Sequence, residues 1–181
     1  RDHPPGFRWL HESFGTNWRM LEMQAVIGRI QLKRMASWTD ARAANAKRIQ
    51  DALAPFAGPN GSVRVPKVSC TGCNGCSQVE GCRHAFYRCY AYVRPQNLAQ
   101  GWTRDRIVAE STKAGVPCFQ GSCSEEYLEK AFDNTGWRPK KRMTNAQELG
   151  ETSLMFLDHP TLEEAQMKQP AEVLTAVLTR A

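Results

Sequence analysis

"ESFGTNWRMLEMQAVIGRIQL", residues 12–32, joins a polar cluster to a long run of helical character. Gly15, Thr16, Asn17, Trp18 and Arg19 crowd one turn, and a run with helical spacing follows directly. Met20, Met23, Ile27, Ile30, Arg34 and Trp38 step by three or four, and Ile49 and Leu53 resume the stripe. The spacing predicts a helix from about Met20 to Leu53. An unbroken helix of that length would reach roughly 50 Å, so a kink or break is expected near Ala36-Ser37. Such a helix can serve one domain at its start and another at its end. Pro55, Gly58, Pro59, Asn60 and Gly61 close it.

A polar turn just ahead of a helix start is a natural anion site, because the first N–H groups are unpaired and the helix dipole is positive there. Asn17 can donate to a phosphate oxygen, and Arg19 can grip a phosphate or carboxylate with two donors at once. The residues alone also allow a plainer arrangement, with Asn17 capping the helix and Arg19 paired with an acid such as Glu22.

Further along, Val63-Arg64-Val65 reads as a short strand. "HAFYRCYAYV", residues 84–93, reads as the longest one, with Phe86, Tyr90 and Tyr92 on one face and Ala85, Tyr87, Cys89, Ala91 and Val93 on the other. Thr103 is placed to cap a helix from Arg104 to Lys113 that Gly115 ends. Val116 to Phe119 is a strand candidate, 121–133 a loop with a short helix, Ala146 to Gly150 a helical turn, and Ser153 to Leu157 a strand. Thr161-Leu162-Glu163-Glu164 forms a capping box for a last helix that Pro170 should kink. Strands and helices in this order predict an α+β layer, one small sheet covered by helices.

The chain has 181 residues, 41% of them hydrophobic, and a net charge of +6. That suits one domain, with or without an appendage, and favours an anionic partner without demanding a polynucleotide. No run approaches the roughly 18 apolar residues of a membrane span, and no charged-then-apolar leader opens the chain. A cytoplasmic setting is expected. The chain opens Arg1-Asp2-His3-Pro4-Pro5 without Met, and is read as a processed or excised piece of a longer protein.

Four of seven cysteines fall in "CTGCNGCSQVEGC", as Cys70-x2-Cys73-x2-Cys76-x5-Cys82. C-x-x-C spacing sets two thiolates around one tetrahedral metal, and zinc is the expected occupant. Free thiols on a loop are the equal alternative, since no second C-x-x-C pair follows at zinc-finger distance. Cys118 and Cys123 are read as packing residues.

"GTNWRMLEMQAVIGRIQL" resembles the G-x-N-x-R-M-x-E-x-Q-A-A-x-G-x-x-Q-L signature of the DegT/DnrJ/StrS sugar aminotransferases. Gly15, Asn17, Arg19, Met20, Glu22, Gln24, Ala25, Gly28, Gln31 and Leu32 match, with Val26 where Ala is usual. "HAFYRCYAYV", "TRDRIVAESTKAGVPC", "GSCSEEYLEKAF" and "AQELGETSLMFLDHPTL" resemble later family segments, the last with Phe156-Leu157 in place of Leu-Pro and Asp158 at a variable position. The resemblance covers almost the whole chain except the cysteine segment.

It implies a pyridoxal-phosphate (PLP) enzyme of aminotransferase fold type I, a homodimer moving an amino group, with glutamate as the expected donor, to a nucleotide-linked keto-sugar in cell-surface polysaccharide or antibiotic sugar synthesis. Residues 1–54 would form the lead-in loop and long connecting helix, and 55–181 the small C-terminal domain with a Cys-rich insertion at 70–82. Asn17 would reach across to the cofactor phosphate of the other subunit, and Arg19, Tyr127 and His159 would lie on the substrate side. The Schiff-base lysine belongs upstream of the G-x-N-x-R motif. Every lysine here lies downstream, so the chain alone is expected to be inactive. Two alternatives stand: a PLP-dependent sugar dehydratase of the same family, and a metal-binding interaction module built on the CxxCxxC cluster. No nucleic-acid motif accompanies the basic charge.

Overall fold

The computed structural model describes residues 6, 14–15, 19–66 and 84–181. Four α-helices run Glu22–Leu53 (α1), Arg104–Lys113 (α2), Thr144–Thr152 (α3) and Glu164–Leu178 (α4). Four strands, Val63–Arg64 (β1), Cys89–Val93 (β2), Cys118–Phe119 (β3) and Ser153–Phe156 (β4), form one antiparallel sheet in the order β1-β2-β4-β3.

α1 is a single helix of 32 residues, without the break expected near Ala36-Ser37. No Gly or Pro interrupts it after Gly28. At the suspected junction the Ser37 and Thr39 hydroxyls donate to the carbonyls of Arg34 and Met35, so the helix satisfies its own polar side chains there.

The strand expected from residue 84 starts only at Cys89. Phe86 has φ 44°, in the left-handed region, which takes the chain out of extended geometry. Its N–H is given to His84 Nδ1, and Arg42 Nη1 takes the carbonyls of Phe86 and Tyr87. Those backbone groups are therefore committed away from a ladder. From Cys89 onward the alternation holds: Cys89, Ala91 and Val93 are buried, while Tyr90 and Tyr92 are half-buried.

β4 lies between β2 and β3 and is buried along its whole length. In register across the sheet stand Cys89, Phe156 and Cys118, all buried. Ile49 and Leu53 of α1, Ile107 of α2, and Met167, Leu174 and Val177 of α4 join them in one core. α4 packs against both α1 and α2.

Thr103 caps α2 by accepting from Arg106 N–H, as its position predicts. The other end is a Schellman turn, in which Val116 N–H bonds Ser111 O, Gly115 N–H bonds Thr112 O, and Gly115 takes φ +89°. α4 begins two residues later than the expected box. Its first turn is closed by Glu163 N–H on Gln166 Oε1, because Thr161 Oγ1 is already bonded to His159 Nδ1. The helix continues through Pro170. Among the described residues, no helix is long and apolar enough to cross a membrane.

Candidate functional site

The hydrophobic stripe of α1 divides in two. Ile49 and Leu53 are buried, but Met20, Met23, Ile27 and Ile30 are 48–73% exposed, with Leu21, Val26, Leu32 and Met35 similarly open. The helix thus carries its first half clear of the core it enters with its second. Leu21 takes the cap position, its N–H bonded to Gln24 Oε1. Arg19 is exposed and makes no ion pair among the described residues, Glu22 included. Asn17 lies outside the described residues.

The packed half of α1 is pinned to two loops. Arg42 Nη1 bonds the carbonyls of Phe86 and Tyr87 at 3.3 Å and lies 3.5 Å from Asp158 Oδ1. Asn45 Nδ2 donates to the carbonyls of Asp158 and His159. His159 is therefore fixed through its backbone by Asn45 and through its ring by Thr161.

Asp158 is fully buried, and its Oδ2 has no hydrogen-bond partner among the described residues. Burial pushes its carboxyl up to about 6, against the pull of Arg42 and Arg88. Folded Asp158 then keeps its proton where the unfolded chain has lost it. Its contribution is complete below the unfolded value near 4 and is lost as pH rises through 6. Asp158→Asn should abolish that loss. Between pH 4 and pH 7 the variant should gain on the wild type by on the order of 2 kcal/mol. Urea unfolding at both pH values measures the gain; parallel pH profiles would refute it.

Tyr127 sits in a separate network. Its hydroxyl donates to Glu125 Oε1 at 2.7 Å and accepts from Met143 N–H at 2.9 Å. Glu125 is buried and held by Arg142 through two bonds. Tyr127 O in turn accepts from Arg138 Nε. Among the described residues no hydrogen bond or ring contact joins Arg19, Tyr127 and His159. A groove of about 560 Å³ between Arg64, Tyr92, Arg94, Gln147 and Glu151 is lined by none of the three.

The thiols Cys89 and Cys118 are buried and pushed up to about 12, chiefly by burial. Cys123 is raised to about 11 by burial and by its bond to Glu129 Oε1. Cys89 and Cys118 are packing groups of the core, and Cys123 is partly exposed. Cys70, Cys73, Cys76 and Cys82 lie outside the described residues. Among the described residues no group of His, Cys, Asp and Glu is arranged to hold a metal.

A family profile described as the DegT/DnrJ/EryC1/StrS aminotransferase family matches residues 3–175. The chain belongs to that family. This DegT/DnrJ/EryC1/StrS chain is 54% identical to an aminotransferase from Psychrobacter cryohalolentis solved by X-ray crystallography. That match has a TM-score of 0.81 and covers 99% of this chain and 44% of the other. It also shares its fold with DesV of S. venezuelae, solved in complex with a ketimine intermediate (20% identity, TM-score 0.68, 96% of this chain and 41% of that one). The E coli GDP-4-keto-6-deoxy-D-mannose-3-dehydratase with bound hydrated PLP is a third fold relative (20% identity, TM-score 0.60, 88% and 36%). A search of curated protein sequences returned no significant match. The chain spans less than half the length of these solved relatives.

PLP is the cofactor of this DegT/DnrJ/EryC1/StrS family, and no lysine among the described residues is buried. A Schiff-base lysine is made nucleophilic by desolvation in an apolar pocket or by a neighbouring cation. Lys33, Lys47, Lys113, Lys130, Lys140, Lys141 and Lys168 are all exposed. Arg42, Asn45 and Asp158, which fix His159, were not singled out as site residues from the sequence. On α1, Arg42 and Asn45 read as ordinary polar positions, and only the fold brings them to the loop that carries Asp158 and His159.

Proposed function

We propose that this chain serves as the C-terminal portion of a PLP-dependent aminotransferase that transfers an amino group, from glutamate, to a nucleotide-linked keto-sugar. The observation that carries the reading is the bare apolar half of α1. Met23, Ile27 and Ile30, at helical spacing, stay in water although the same helix buries Ile49 and Leu53. Such a face calls for cover, and the solved relatives, more than twice as long, have chain to supply it. The cover is taken to be the rest of the polypeptide and a second subunit of a cytoplasmic homodimer.

In the intact enzyme PLP supplies the electron sink for amino transfer, and the lysine that anchors it lies upstream. This chain contributes positioning. Asn17 is assigned to the cofactor phosphate of the neighbouring subunit, and Arg19 to an anionic group beside it. His159 is presented towards the sugar from a loop that α1 fixes through Asn45, and Tyr127 from the loop tied by Glu125.

PLP added to the 181-residue chain alone should give no lysine-linked absorbance at about 410–430 nm, while the polypeptide extended upstream should give it. A borohydride-reducible lysine adduct with turnover in the short chain would overturn the assignment. In the family, both aminotransferase and dehydratase chemistry occur. Amino transfer from glutamate by the intact protein, followed by loss of keto-sugar, decides between them.

A further inference from the structure

The turn that carries Trp137 is built with unusual care for an exposed residue. Asn134 and Gly136 both adopt left-handed backbone, φ 60° and 76°. Between them Thr135 Oγ1 donates to Phe132 O and accepts from Trp137 N–H. Arg138 then anchors the far side, donating to the carbonyls of Tyr127, Leu128 and Glu129 and pairing with Asp133 at 2.6 Å. All this fastening holds up an indole that is 70% exposed. Phe14, itself 60% exposed, leans on it with ring centroids 5.8 Å apart and meets Phe132 edge-on at 5.4 Å. Two large rings kept together in water cost apolar exposure and return little packing.

The charge beside this ring pair is equally selective. Residues 137–142 read Trp-Arg-Pro-Lys-Lys-Arg. Arg138 is neutralised by Asp133, and Arg142 by Glu125 and Glu151. Lys140 and Lys141 are exposed and make no ion pair among the described residues. At most about 10–14 Å of chain separates them from Trp137, and each carries a flexible four-carbon stem. An exposed indole face, flanked by Phe14 at a 58° tilt and followed by two ammonium groups unpaired among the described residues, suits a ligand with a π-face at one end and clustered negative charge at the other.

We propose that Phe14 and Trp137 form a stacking platform for the base of a nucleoside diphosphate, with Lys140 and Lys141 taking its phosphates. This rests on the nucleotide-sugar reading above, and it assigns the nucleotide end of that substrate to a place in the chain. A base stacked on an aromatic ring gains about 1–3 kcal/mol and is sequence-tolerant, so the platform holds the nucleotide without choosing the base.

The test is calorimetric titration of the intact protein with UDP and with inorganic pyrophosphate. Trp137→Ala should weaken UDP by about 10-fold or more and leave pyrophosphate unchanged, and Trp137→Phe should restore UDP binding. The double variant Lys140→Ala/Lys141→Ala should weaken both probes. UDP affinity indifferent to Trp137 would overturn the proposal, as would pyrophosphate binding as tightly as UDP, which marks an anion patch only. Tighter binding of an RNA homopolymer than of UDP would also overturn it, in favour of a polynucleotide surface. If Trp137→Ala turns over nucleotide sugar with unchanged KM, the platform fails and the aminotransferase reading survives. If UDP binds through Trp137 but the protein takes up no PLP, the reverse holds.

Discussion

Phe156→Ala should be the most damaging single truncation in this chain, lowering unfolding free energy by about 3–5 kcal/mol. Phe156 is 1% exposed and stands in the row Cys89, Phe156, Cys118 across the sheet. Both neighbours are small, so neither can expand into the space a lost ring would leave. With β4 central and buried at every residue, the strand has no solvent side onto which the defect could relax. For a chain of this size each kcal/mol moves the melting temperature by about 2–4 °C, so a fall of about 6–20 °C is expected. Phe156→Leu should cost much less, because it keeps most of the volume. Thermal unfolding of both variants followed by circular dichroism measures the contrast; equal losses would show that volume is not what this position supplies.

Arg104→Leu should cost about 3 kcal/mol, for a reason unrelated to volume. Arg104 is 8% exposed, and its Nη1 donates to the carbonyls of Gly150 and Ser153 at 3.1 Å. Its Nε bonds Asp105, which also accepts from Gln120. One guanidinium thereby ties the start of α2 to the end of α3 and the start of β4. Leucine fills much of the space but donates nothing. The melting temperature should drop by about 6–12 °C, and Arg104→Lys should recover less than half, since an ammonium cannot reproduce the fork. A Lys variant as stable as the wild type would show that charge alone suffices.

Much of the architecture was legible in the sequence because its signals are local. The alternation at Cys89–Val93, the Thr103 cap and Gly115 each report a backbone requirement within a few residues. The errors arise where a distant group intervened. Residues 84–88 alternate like a strand, but Arg42, over 40 positions away, claims the carbonyls of Phe86 and Tyr87. Thr161 is a good cap by type, yet His159 occupies its hydroxyl first. The same limit applies to the candidate site. The G-x-N-x-R turn is contiguous and visible in sequence, whereas the Arg42–Asn45–Asp158 junction and the Phe14–Trp137 pair join residues more than 100 positions apart.

The unbroken course of α1 has a mechanical consequence. Held by its last third between Arg42 and Leu53, the helix is a lever whose free arm, residues 22–41, is about 30 Å long. A tilt of about 5° at the root swings its tip by about 3 Å, the span of one hydrogen bond. With no hinge along its length, small rocking of the sheet and α4 would be delivered, amplified, to the helix start at Glu22.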